Sequence, residues 1–266
     1  MKIGVSFNCY YGLDIETQIA LMKKNGFEAS FIGSENEFVD QVVKRLKEEN
    51  IFCENLHGPC SIETSNVNDM WRNSESSEEM FSRIMRSVEK CGEHEIPGLV
   101  LHVTAGPKPP RPTEIGYERF VKVFERAKEL GVQISCENIR PYGNLAFMIE
   151  QFPDAGFCWD TGHEAYASKN VQFMPIFGSR LKALHIHDNM LEHDDHMIPG
   201  DGNIDFDRVA RQIAESPYEG SVMLELSTRL CNAYENVAPE EFYARAAKAG
   251  RELSAKIEAI RNGNKN

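Results

Sequence analysis

The sequence predicts an α/β fold, a closed (β/α)8 TIM barrel, and three observations predict it. Short β-type runs alternate with longer helical patterns, eight of each, from one end to the other. The 266 residues suit eight such units, since barrels of this kind need about 250. No G-x-G-x-x-G follows the first strand run, which removes the phosphate-binding signature of the rival doubly wound sheet. Strands separated by helices pair in parallel through right-handed crossovers.

The elements follow in order. KIGVSF (2–7) is the first strand. DIETQIALMKKNG (14–26) opens acidic and closes on Gly26, as a helix dipole and a C-terminal cap favour. EASFIG (28–33) precedes ENEFVDQVVKRLKEEN (35–50), where Phe38, Val42 and Leu46 recur at helical spacing. IFCENLH (51–57) precedes the helix SSEEMFSRIMRSVEKCG (76–92). GLVLHVT (98–104) leads through the proline-rich AGPKPPRP (105–112), read as a rigid connection, to TEIGYERFVKVFERAKELG (113–131). The remaining pairs are QISCEN (133–138) with NLAFMIEQF (144–152), and GFCWDT (156–161) with VQFMPIFG (171–178). LKALHIHD (181–188) then pairs with DFDRVARQIAES (205–216), and SVMLEL (221–226) with PEEFYARAAKAGRELSAKIEAI (239–260). No linker or composition shift marks a second domain, so 1–260 reads as one domain and RNGNKN (261–266) as a frayed tail.

Composition bounds the function. Hydrophobic residues at 41% exclude a disordered chain or a small disulfide scaffold. With 29 Lys+Arg against 41 Asp+Glu, the formal charge of −12 argues against nucleic acid as the partner. The N-terminus MKIGVSFNCYYG lacks the apolar core of a signal peptide, and no run of eighteen apolar residues predicts a membrane span. The 7 cysteines have no CxxC spacing and read as reduced thiols, hence a cytoplasmic location. Nothing in the sequence sets the oligomeric state, and a homo-oligomer stays open.

The polar residues become informative on this frame. The strand ends carry His57, His102, Glu137, Asp160, His185 and Glu225. The preceding residues are Leu56, Leu101, Cys136, Trp159, Leu184 and Leu224, all apolar. Alternation along a barrel strand then turns those six toward the helices and the polar six toward one another. The C-terminal ends of barrel strands converge on the mouth where active sites sit. Inward carboxylates repel unless a cation neutralises them, and a His/Asp/Glu set suits Mn, Zn, Co or Mg. Loop residues add His163, and then Asp194 and His196.

The segments SCENIRP (135–141), CWDTGHEAY (158–166), LHIHDN (184–189), DDHMIPGDGNIDF (194–206) and LEL (224–226) carry a family pattern. Together they resemble the xylose isomerase-like TIM barrels, a superfamily that includes sugar isomerases and epimerases and the endonuclease IV group. The resemblance to the epimerases implies one divalent metal held by Glu137, Asp160, His185 and Glu225. His185 is chosen over His187 because an acidic residue, Asp188, follows it by three. His163 then matches a substrate-contacting residue, and His187 becomes a neighbouring polar group facing the substrate. The resemblance to the endonuclease IV group implies three zinc ions on nine ligands, adding His57, His102, His163, Asp194 and His196. Against that, GPCSIETS (58–65) lacks the tyrosine-led loop with which that group enters DNA. The chain also departs from ketohexose epimerases: Leu191 stands where they have an arginine and Gly143 where they have a glutamate.

The expected function is therefore a divalent-metal-dependent isomerase or epimerase of a sugar, a sugar phosphate or another sugar derivative. It would abstract a proton beside a carbonyl through a metal-stabilised enediolate, with Glu137 and Glu225 as the catalytic pair. His57, His102, His163, His187 and Arg140 are the expected substrate contacts, Arg140 for a phosphate or carboxylate. The alternative is an endonuclease IV-like multi-zinc phosphodiester hydrolase.

Overall fold

The computed structural model describes residues 1–61, 65–106, 108–140 and 142–263. The remaining positions of the 58–65, 105–112, 135–141 and 261–266 segments lie outside the described residues. The strands are β1 (Ile3–Ser6), β2 (Ala29–Gly33), β3 (Phe52–His57), β4 (Gly98–His102), β5 (Gln133–Glu137), β6 (Gly156–Asp160), β7 (Leu181–His185) and β8 (Val222–Leu224). The helices are α1 (Ile15–Lys24), α2 (Val39–Glu48), α3 (Glu75–Glu93), α4 (Glu114–Glu129), α5 (Gly143–Gln151), α6 (Thr161–Ala167), α7 (Met174–Phe177), α8 (Phe206–Glu215) and α9 (Pro239–Gly263).

The strands form one sheet in the order β7-β6-β5-β4-β3-β2-β1-β8, every named pair parallel. Ile186, one residue past β7, closes the ring: its N–H donates to the Met223 carbonyl at 2.9 Å, and its carbonyl accepts from Glu225 N–H at 3.0 Å. The chain then leaves the sheet, because Asp188 pairs antiparallel with Met197. That is why β7 is shorter than the 181–188 run.

Two apolar layers result. Leu56, Leu101, Cys136, Trp159, Leu184 and Leu224 are buried between strands and helices. Inside the ring, Val100, Cys158 and Ala183 form one small cluster and Ala29, Phe31 and Met223 another. These interior clusters fill the barrel below the polar strand ends, as barrel interiors require. Gly4 leaves room for Met223, whose Cε would lie 2.6 Å from an added Cβ.

Helix starts follow ordinary capping chemistry. Asp14 accepts from Thr17 N–H and Asp205 from Asp207 and Arg208 N–H, each satisfying first-turn donors. Helix α6 was not expected from the sequence; Asp160, read there only as a site residue, is its N-cap. The expected fray at 261 is corrected. Helix α9 continues to Gly263, and the Arg261 guanidinium donates to the carbonyls of Ile213 (3.2 Å) and Tyr218 (2.6 Å). Trp71 is packing: it is buried against Phe120 and donates its indole N–H to the Val103 carbonyl at 2.7 Å.

Candidate active site

Parallel pairing in register brings the strand ends level. His102 is paired with Glu137, and Asp160 with His185. Their side chains enter the ring with Glu137 at the centre. Its Oε1 lies 3.0 Å from His163 Nδ1 and 3.3 Å from His102 Nε2; its Oε2 lies 3.1 Å from His185 Nδ1 and 3.3 Å from His57 Nε2. Glu225 Oε2 is 3.3 Å from the same His185 nitrogen. The Phe31 ring stacks on His185 at 4.6 Å and forms its floor.

The loop residues join from above. His163 Nε2 and His196 Nε2 approach Asp194 Oδ2 at 3.2 and 3.4 Å. His187 is buried; its Nε2 faces Asp160 at 3.1 Å and its ring stacks on His196 at 4.0 Å. His187 thus has Asp160 and His196 as its neighbours. Arg140 stands at the rim, where its Nε donates to the Gly106 carbonyl at 3.1 Å. On the same face a cavity of about 690 Å³ opens between the loops after β1 and β2, lined by residues that include Phe7, Asn8, Glu35 and Phe38.

Asp188 organises the loop that carries Asp194 and His196. Its two carboxylate oxygens accept N–H groups from Asn189, Gly200, Gly202 and Ile204 at 2.9–3.0 Å. A side chain at Gly202 would meet the Asn189 carbonyl and Asp188 at 2.5 Å. His196 takes a left-handed backbone, φ 48°, the kind of local strain that collects at functional sites. Asn138 clamps the end of β6 through two 2.8 Å bonds to the Asp160 backbone.

Electrostatics follow from burial of both signs together. Burial alone pushes the Glu137 carboxyl up, but His102 and His185 outweigh it and hold it well below the usual carboxylate range. Glu225 is likewise low: burial opposes ionisation, and His185 overcomes it. Burial disfavours the charged His57, His163 and His185 rings, yet the neighbouring thiols and carboxylates raise all three.

The donors fit a divalent ion. Glu137 Oε1 and Oε2, His185 Nδ1 and Glu225 Oε2 are buried without a hydrogen-bond partner, although opposite charges approach within about 3 Å. Such atoms point at a common space rather than along hydrogen-bond directions. One ligand atom from each of Glu137, Asp160, His185 and Glu225 lies within 4.8 Å of the others. The sequence missed Cys60, whose Sγ joins His57 and His102 in a second group of that compactness. It lies three residues past the strand end, where alternation no longer assigns a direction.

The barrel with polar side chains gathered at its mouth defines the class, and residues 17–253 match the family described as xylose isomerase-like TIM barrel. The chain belongs to that family. Among solved structures it is similar to D-psicose 3-epimerase from Clostridium cellulolyticum H10, with a TM-score of 0.76 and 14% identity over 97% of this chain and 99% of that one. It is similar also to an L-ribulose 3-epimerase (TM-score 0.74, 15% identity, 100% and 97% covered) and a D-tagatose 3-epimerase-like protein (0.73, 20%, 99% of both). At these identities the likeness concerns the fold. Among curated proteins, an uncharacterized protein of Sinorhizobium fredii is 34% identical over 110 residues, 41% of this chain and 34% of that protein. One of Methanocaldococcus jannaschii is 30% identical over 92 residues, 32% of this chain and 36% of that protein. The match thus spans about a third of each relative's length.

Proposed function

We propose that the protein is a divalent-metal-dependent isomerase or epimerase acting on a sugar or sugar derivative. The observation that carries this reading is the meeting of buried Glu137 and half-buried Glu225, whose Oε2 atoms lack hydrogen-bond partners, at one imidazole nitrogen of His185. Glu137, Asp160, His185 and Glu225 would hold the ion. When bound, it supplies Lewis-acid polarisation of a substrate carbonyl and the adjacent hydroxyl, which acidifies the C–H bond between them.

The chain's own groups supply the proton chemistry. One carboxylate of the Glu137–Glu225 pair takes the proton from carbon, and the other returns one. Return to the opposite face of that carbon inverts it; return to the neighbouring carbon exchanges aldose and ketose. His163 and the rim of His57 and His102 orient hydroxyls, and Arg140 at the rim receives an anionic substituent. The two epimerases and the epimerase-like protein named above support a carbohydrate substrate. All seven cysteines are unpaired, which supports a cytoplasmic setting.

The test is exchange of substrate C–H for deuterium, followed by NMR across free, phosphorylated and carboxylated sugars with Mn, Co, Zn or Mg supplied. Wild type should exchange and convert one of them. Glu137→Gln and Glu225→Gln should each reduce turnover by a factor of about 10³ or more while remaining folded. Wild-type turnover in either variant refutes the mechanism.

A second reading has its own observation. His163 and His196 share Asp194, and His57 and His102 share Glu137, so all nine residues of the hydrolase alternative meet at one mouth. Cleavage of an abasic DNA duplex, lost in Asp194→Asn, would favour it.

A further inference from the structure

The proline-rich run between β4 and α4 has no part in the proposed proton chemistry. Every residue from Lys108 to Pro112 is a proline or stands directly before one. Proline fixes φ near −65° and keeps the residue before it extended. Chain restricted in this way makes a turn about every three residues, so Lys108 and Arg111, both exposed, share one side of the segment. Its two ends are pinned. Ala105 exchanges two 2.8 Å hydrogen bonds with the Asn68 side chain, and the Gly106 carbonyl accepts from Arg140 Nε at 3.1 Å. Thr113 caps α4, and its hydroxyl donates to the Trp71 carbonyl at 2.8 Å. Arg140 lies on the mouth side of the rim: burial and Asp194 push the Tyr166 phenol up, His163 and Arg140 pull it down, and the Tyr166 ring is 6.1 Å from that of His163. Among the described residues none of Lys108, Arg111 and Arg140 has a carboxylate partner, whereas Arg45, Arg83, Arg119, Arg126, Arg208 and Arg245 each hold one. The three gather at one edge of the mouth of a chain whose formal charge is −12.

We propose that Lys108 and Arg111 join Arg140 in a phosphate subsite, so that the substrate is a sugar carrying a terminal phosphate. A phosphate monoester near pH 7 carries almost two charges and offers three acceptor oxygens, one for each cation. A carboxylate offers two oxygens, which a single guanidinium satisfies. Glu137 and Arg140 are three residues apart, at most about 10 Å along the chain, a span that a five- or six-carbon sugar phosphate covers. The proline-restricted segment is ordered before any ligand arrives, which lowers the entropy cost of holding one. This inference rests on the proposed action on a sugar and names the substrate class of that same site.

The test is titration calorimetry on the whole protein, in the presence of Mn, with five- and six-carbon aldoses and ketoses, each against its own terminal phosphate. Wild type should bind at least one phosphate more tightly than its neutral sugar, by about tenfold or more, and added salt should narrow the gap. Lys108→Ala combined with Arg111→Ala should lower that ratio by about tenfold. Lys108→Arg combined with Arg111→Lys should retain most of it, because the charge is kept. A ratio near one for every pair, or an unchanged ratio in the double alanine variant, overturns the subsite. Tighter binding of a DNA duplex than of every sugar phosphate overturns it in favour of a nucleic-acid ligand. Deuterium exchange in a neutral sugar without any phosphate preference overturns this inference and leaves the proposed function standing. A phosphate preference lost in the double alanine variant, with no exchange in any sugar, supports the subsite and overturns the function.

Discussion

Glu137 organises the mouth at the scale of single residues: four imidazoles, from His57, His102, His163 and His185, face its two oxygens. Without a cation this is a lattice of mutually stabilised charges, and that has a pH consequence. Burial disfavours the charged rings of His102 and His196. For His102 the Cys60 thiol and Glu137 outweigh it, for His196 Asp194 and Glu225, and both rise from 6.5 to about 9. A ring raised on folding stabilises the fold fully below its unfolded pKa and loses that contribution as pH rises through the folded one. Chelator-stripped protein should therefore lose stability from about pH 6.5 to about pH 9, read as a falling urea midpoint. Metal-loaded protein should show a shallower slope, because a cation held by Glu137 and Glu225 takes the place of the protons those carboxylates favour on His102 and His196. An equal slope in both forms contradicts the arrangement. Strand alternation made His57, His102, Glu137, Asp160, His185 and Glu225 legible in the sequence, because alternation fixes direction. Cys60 was not legible, since its direction is set by a turn.

At the scale of elements, β6 and α6 act as one device. Asp160 ends the strand, and its Oδ1 accepts the His163 N–H as the helix cap at 2.6 Å. The same carboxylate holds His187. Gly162 sits beneath that ring: an added Cβ would lie 1.9 Å from His187 Cε1 and 2.5 Å from both ring nitrogens. His187 is fully buried and stacked on His196, so it has no free rotamer to absorb the overlap. Gly162→Ala should destabilise by about 1–3 kcal/mol, the usual cost of overpacking. It should also weaken metal binding more than a distant variant of equal thermal stability does, measured by metal titration. Equal metal affinity in the two variants would place His187 outside the site. Helix α6 was invisible in the sequence because DTGHEAYA holds only 7 helical residues directly after a strand, too few for periodicity to register.

At the scale of the whole molecule, the ring closes twice over. Ile186 joins β7 to β8, and α9 packs over β1 and β8 with Ser254 accepting from the N-terminal amine at 2.9 Å. Arg261 ties the far end of α9 to the turn after α8. Arg261→Ala should cost about 1.5–3 kcal/mol, the range for hydrogen bonds to a charged group, and leave kcat and KM unchanged. Denaturant unfolding and steady-state kinetics check the two halves; an unchanged midpoint would return this segment to a frayed end. The sequence by itself determined the eight strands and the six inward-facing polar residues, because burial on alternate residues is written locally, two positions at a time. Only the tertiary structure decided which imidazole faces which carboxylate, that Cys60 joins His57 and His102, and that the last helix holds through Arg261. Those contacts join residues that periodicity does not relate, and they exist only once the ring is closed.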